Sequence, residues 1–436
     1  MLPRATGARA SLLAYVSVGM TLLLLATSVG CDYLGLIVPA PASAPSWPTE
    51  VLPSRPPRPP SDGIYTETEP NDTFEDADVV AASGDVDLVG TLAGTGSAAD
   101  IDIFRLPGGQ AEDRVHVTVE TITGSGVVVA LLDARQRLLA YLDPMSRLNS
   151  PPEIDLILRE PTDHFFVVVT SLFPTSWEVP YTVRFSLEPV AGRPLYRSQV
   201  LVLNFDGADD VRIGYRTSVD IPPFDVSLID ERLDGQTQIV ADRIVAMVRE
   251  DFRGLGLAVY RSGDPAIPQG PRHTVHFGLY DERLLGLAEN IDPYNSNPQQ
   301  EAIVFTDSFA LFSVFRPSAE QIAQTLANVA SHEAGHLLGL RHTRDVHDIM
   351  DTTASARQMM VNQWFRSAQL HETVLPVGFQ DSPALLAWTL GGQLVGPTAG
   401  KVFEAQMARL MDDPNDFHIP RELLSTCTCG QDHDEW

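Results

Sequence analysis

The sequence predicts a multidomain chain. An all-β sandwich comes first, followed by an α/β (in detail α+β) domain with a mixed, mainly parallel sheet and one helix carrying a metal site. Three observations predict this. Residues 63–190 run as short apolar or alternating stretches between Gly, Pro, Asp and Asn turns, without helical periodicity. From residue 196 strand-like runs alternate with helical ones, a pattern that needs crossover connections and a parallel sheet. Residues 332–342 read H-E-x-x-H-x-x-G-x-x-H. That spacing puts two histidines on one helix face and a glycine where the helix must end.

The chain has 436 residues, room for two or three domains, and a net charge of −27. So acidic a chain disfavours nucleic acid as a partner, because phosphate binding needs clustered Lys and Arg. Overall the acid serves solubility; locally, carboxylates can bind calcium outside the cell. Residues 1–31 read as an export signal: Arg4 and Arg9, then an uncharged run from Ala10 to Gly30. Ser28-Val29-Gly30-Cys31 resembles a bacterial lipoprotein lipobox, departing at Ser28, where an aliphatic residue is usual. The resemblance implies lipidation of Cys31 and a membrane anchor. Cleavage after Ser28 or Gly30, or an uncleaved anchor, are the alternatives; all place the rest outside the cytoplasm, in the cell envelope or secreted. Residues 32–62, with nine prolines between Pro39 and Pro60, are an extended linker.

Strands of the sandwich are expected at Val115–Glu120, Val127–Leu132, Phe165–Thr170 and Tyr181–Leu187. Glu69-Pro70-Asn71-Asp72-Thr73, Asp100-Ile101-Asp102-Ile103-Phe104, Gly108-Gly109-Gln110 and Tyr181-Thr182-Val183 make this segment similar to the bacterial pre-peptidase C-terminal domain. Such domains accompany secreted peptidases, and some bind calcium through the acidic opening. The resemblance implies Glu69, Asn71, Asp72, Asp100 and Asp102 as oxygen ligands for Ca2+. The plainer reading is a turn at Asn71-Asp72 and aspartates that solvate a strand edge.

In residues 196–390, strands are expected at Val200–Asn204, Leu257–Arg261, His273–Phe277 and Ala302–Phe305, with a helix at Gln236–Phe252. Leu284–Ala288 is a candidate edge strand, able to pair with an extended substrate. His273 and His276 lie on opposite faces of a strand and make a poor metal pair. Ser318 with Gln321 has capping-box form, and Ile322, Leu326, Val329, Ala330 and Leu337 give the next helix a core-facing stripe.

That helix carries the chemistry. His332 and His336, four residues apart, can bind one zinc ion, and Glu333 sits where its carboxylate can reach a water there. Gly339 allows the chain to turn and bring His342 as third ligand. Met350 follows His342 by eight residues. Together these resemble the metzincin metallopeptidases, closest to the matrixin style, in which the Met-turn methionine floors the metal. The resemblance implies a zinc endopeptidase with Zn2+ on His332, His336 and His342, Glu333 as general base, and a protein or peptide substrate. Two departures leave the subfamily open: Thr343 stands where matrixins carry Ser, and no tyrosine follows Met350 two residues on. His347 is placed on the loop into the turn, since three histidines already fill a catalytic zinc's protein quota.

Helical stretches are expected at Gln363–Leu370 and Ser382–Leu390, the latter opened by Ser382-Pro383. Residues 391–436 form a tail with a helix at Ala399–Met411 and the pair Cys427 and Cys429, for which a flexible tail without a role is the default. The rival to the enzyme is an envelope-anchored binding protein with an inactive scaffold; an intact Glu333 counts against it.

Overall fold

A computed structural model describes residues 63–396, except 83, 94–98, 123–126, 143–152, 172–176 and 215. The signal with Cys31, the linker, and the tail with its helix, Cys427 and Cys429 lie outside the described residues.

The first part is two five-stranded sheets face to face. One runs Gly63–Thr66, Val86–Leu92, Val179–Glu188, Arg114–Ile122, Glu153–Ile157; the other Asp78–Val79, Ile101–Gly109, Thr162–Ser171, Val127–Asp133, Leu138–Leu142. Each opens with one parallel pair and is otherwise antiparallel. Alternate residues of both sheets meet in the core, Leu88, Val117, Val183 and Phe185 with Phe104, Val129, Leu131 and Val167.

The second sheet is also buried on its outer face. There Ile103, Val128, Ala130, Leu132, Phe166 and Val168 pack with Leu370, Val374 and Leu375 of the following domain. A strand covered on both sides reads as an unbroken apolar run. That is why Val127–Leu132 is Val-Val-Val-Ala-Leu-Leu rather than alternating.

The second part is built on a five-stranded sheet ordered Leu257–Arg261, Gln199–Asn204, His273–Gly278, Glu301–Phe305, Gly286–Ala288. The first four strands are parallel. Gly286–Ala288 is antiparallel and lies at the edge. Helix Thr237–Asp251 packs against helix Ala319–Leu337, here the site helix, with Ser331 donating to buried Asp251 at 2.6 Å.

Beyond the site helix the expectations need correction. Gln363–Leu370 is not helical: Ser367–Gln369 is a strand paired antiparallel with Phe379–Asp381. Backbone pairing to distant chain has overridden the local apolar spacing. A one-turn helix absent from the sequence reading spans Ala356–Met359, held by a capping box of Ser355 and Gln358. Helix Ser382–Leu390 is found over the span expected for it, capped by Asp381, whose side chain accepts from the Ala384 N–H.

Candidate metal centre

The site helix begins where its capping box directs: Ser318 Oγ accepts from Gln321 N–H, and Gln321 Oε1 accepts from Ser318 N–H. Ile322, Leu326, Ala330 and Leu337 are fully buried along its inner face. It ends in a Schellman motif: Leu340 N–H donates to Gly335 O and Gly339 N–H to His336 O, both at 2.9 Å. Gly339 has φ +95°, and a Cβ there would sit 2.8 Å from Pro293 Cα. Only glycine satisfies both demands, and the turn sends the chain back toward its own helix.

Three imidazoles thereby converge. His336 Nε2 lies 3.0 Å from His332 Nε2 and 3.2 Å from His342 Nε2. The contact between His336 and His332 cannot be a hydrogen bond. The Nδ1–H of His332 donates to Ile349 O and that of His336 to Leu340 O, each at 2.8 Å, so both Nε2 atoms carry lone pairs. Burial pushes the His332 pKa down to about 4, against the pull of the Ile349 carbonyl. Burial, then the neighbouring imidazoles, hold His336 and His342 well below the usual range. Neutral rings converging in this way form a donor set suited to a cation. Zinc–nitrogen bonds of ~2.0–2.1 Å in a tetrahedron place the nitrogens about 3.3 Å apart, so the donor set fits zinc.

Around the three rings the sequence supplies support. Met350 is fully buried, its Sδ 2.6 Å from where a Gly335 Cβ would stand, so the glycine between the two helix ligands lets the methionine lie against the helix. The turn is tied by Thr343 N–H to Met350 O at 2.9 Å and by Thr343 Oγ1 to Asp348 at 2.8 Å. Burial raises Asp348 to about 7. Glu333 is 3% exposed and touches the edge strand, where a Cβ on Gly286 would fall 2.2 Å from Glu333 Oε1. Gly286 carries the sequence signal of such a close approach, an isolated glycine in a strand run. His347 sits against Asp345 at 2.9 Å and is not part of the three-histidine group. His273 pairs with Asn295 and His276 with Asn204, separately.

A second cluster lies in the sandwich. Ligand atoms of Glu67, Glu69 and Asp102 are all within 4.8 Å of one another. Asp102 is fully buried; its Oδ2 accepts from Tyr181 O–H at 2.5 Å, while its Oδ1 has no partner. Asn71 Oδ1 is likewise buried without a partner. Burial, with Glu67 adding to it, raises Asp102 to about 9. Burial first, then Asp100 and Asp72, also raises Glu69. Asp72 and Asp100 instead accept backbone N–H groups, of Ile101 for both and of Ala93 for Asp100. Glu67, two residues before the motif as read, takes their place in the cluster.

The three-histidine site with Met350 makes the second domain similar to the metzincins, and the motifs of the sandwich make it similar to the pre-peptidase C-terminal domain. Residues 271–364, which include the triad, Glu333 and Met350, match the matrixin peptidase family. No curated protein matches the chain. Among solved structures, archaemetzincin from Methanopyrus kandleri is 16% identical, covering 39% of this chain and 89% of that one at TM-score 0.23. The pre-peptidase C-terminal domain of a Bacillus anthracis collagenase is 15% identical, covering 30% and 100% at TM-score 0.16. A periplasmic inhibitor of g-type lysozyme from Aeromonas hydrophila is 13% identical, covering 29% and 98% at TM-score 0.19. Identities this low say nothing about activity.

Proposed function

We propose that the protein is an extracytoplasmic zinc endopeptidase that hydrolyses peptide bonds with Glu333 as general base. The observation carrying this is the convergence of three Nε2 atoms at 3.0 and 3.2 Å, with the Nδ1–H groups of His332 and His336 anchored to backbone carbonyls. His332, His336 and His342 hold the zinc, which when bound supplies Lewis acidity and lowers the pKa of a coordinated water toward ~7. Glu333, pressed against Gly286, takes the proton of the attacking water and returns it to the leaving amine. The edge strand Gly286–Ala288 pairs on one side only among the described residues, leaving backbone groups for an extended peptide. Glu333→Gln should keep zinc and lose hydrolysis; cleavage of a protein substrate at the wild-type rate would refute the role of Glu333.

Two finer readings accompany this. The partnerless Oδ1 atoms of Asn71 and Asp102, beside Glu67 and Glu69, favour a calcium ion in the sandwich. The lipobox-like Cys31 favours lipidation and attachment to the outside of the cell envelope. Cys31→Ser should move the protein from the membrane to the soluble fraction; a variant that stays membrane-bound would rule out the lipid anchor.

A further inference from the structure

The strongest unexplained contact is that between the sandwich and the chain just after the third ligand. Gln380, fully buried, clamps the backbone of Arg341, the residue before His342: its Oε1 accepts from Arg341 N–H and its Nε2 donates to Arg341 O, both at 2.7 Å. The His342 carbonyl accepts from His371 N–H at 3.0 Å, and Thr343 bridges to Leu370. The stretch 369–381 is therefore the scaffold on which His342 is presented.

The sandwich holds that scaffold at several points. Phe379 N–H donates to Gln136 O at 2.9 Å, so the 133–137 turn adds to the small sheet that carries Gln380. Arg137 reaches Asp381 at 3.3 Å while braced by Asp133 at 2.7 Å. A Cβ on Gly378 would stand 2.5 Å from Leu132 Cδ2, and Leu370 and Leu375 bury against the sandwich sheet. The Arg341 guanidinium lies 3.8 Å from the centre of the Tyr141 ring. On the far side of the helix end, Tyr294 donates to Leu139 O at 2.9 Å, and its loop donates from Asp292 N–H to His336 O at 3.0 Å. A freely tethered binding module would need none of these contacts.

We propose that the sandwich is a positioning element for the metal centre, with Tyr141 and Arg137 as positioning residues that set His342 through Arg341 and Gln380. The inference rests on the zinc reading above. Removing partners that orient a ligand typically weakens metal affinity 10- to 100-fold. Because Tyr141 and Arg341 act through one stack, their effects must overlap rather than add.

The test uses the full chain and measures zinc affinity by competition with a chromogenic chelator, for wild type, Tyr141→Leu, Arg341→Leu, the double variant and Arg137→Ala. Each single variant should bind zinc about tenfold more weakly, and the double no more weakly than the worse single. The cobalt-substituted forms should show a shifted visible absorption in the same variants, and Tyr141→Phe, which keeps the ring, should restore both readouts. Should Tyr141→Leu fail to fold, Arg341→Leu and Arg137→Ala carry the decision, since both leave the sandwich core intact. Wild-type affinity and an unshifted cobalt spectrum in those two, or strictly additive losses in the double, overturn the inference while leaving the zinc reading standing. A wild-type protein that binds no zinc overturns both.

Discussion

Gly286→Ala offers a sharp test of how the general base is placed. The new Cβ would fall 2.2 Å from Glu333 Oε1, 2.8 Å from Cδ and 2.9 Å from Cγ. Ordinary contact needs more than 3 Å, so the carboxylate must retreat by about 1 Å. Displacements of that size in a catalytic group cost roughly 10²-fold in rate, or about 2.7 kcal/mol of barrier. Stability should barely change, because the clashing atoms are the far end of a flexible side chain and the backbone at Gly286 is extended. The assay is steady-state cleavage of a quenched-fluorescent peptide, with zinc content and thermal unfolding measured on the same sample. We expect kcat down about a hundredfold with zinc and midpoint unchanged. An alanine variant that cleaves at the wild-type rate would refute the position assigned to Glu333.

Other predictions follow from the same geometry. Gly339→Ala forces a non-glycine residue into φ +95° and against Pro293, so stability should fall by at least about 1–2 kcal/mol and zinc should be lost; normal zinc content would refute the role of the turn. Asp102 has its folded pKa raised to about 9, far above the unfolded value, so between about 4 and 9 the folded chain holds a proton the unfolded chain has released. Stability in chelator should therefore decline as pH rises through that window. Calcium should reverse the decline at pH 8, and Asp102→Asn should remove the part of it above about pH 7, below which other buried carboxyls such as Asp348 contribute as well; a decline above pH 7 that neither calcium nor Asp102→Asn changes would count against the sandwich site.

Much of the metal centre was legible because its chemistry is local in sequence. His332, His336 and Gly339 are fixed by helical geometry, and Ser318 with Gln321 marks the start of that helix. The sheet was legible as far as its strands are short runs bounded by turns: Leu257–Arg261 is a strand over the span expected for it, and the edge strand shortens to Gly286–Ala288. What could not be read is pairing between distant segments. Ser367–Gln369 became a strand because Phe379–Asp381 was there to pair with it, with Thr343 bridging to Leu370 just beyond. Ala356–Met359 is too short to show a period. The docking of the sandwich left one trace, the unbroken apolar runs at Val127–Leu132 and Phe165–Val169, which pointed to a strand covered on both faces. Reading them only as core strands missed the second cover. Glu67 was missed because its approach to Asp102 is made across strands, through Tyr181.

The most direct measurement is X-ray absorption at the zinc edge on the purified protein, combined with metal analysis. One zinc per chain, with three imidazole nitrogens at ~2.0–2.1 Å and no sulfur in the coordination sphere, is the expected result. A protein that takes up no zinc, or whose zinc is ringed by thiolate, contradicts the three-histidine centre.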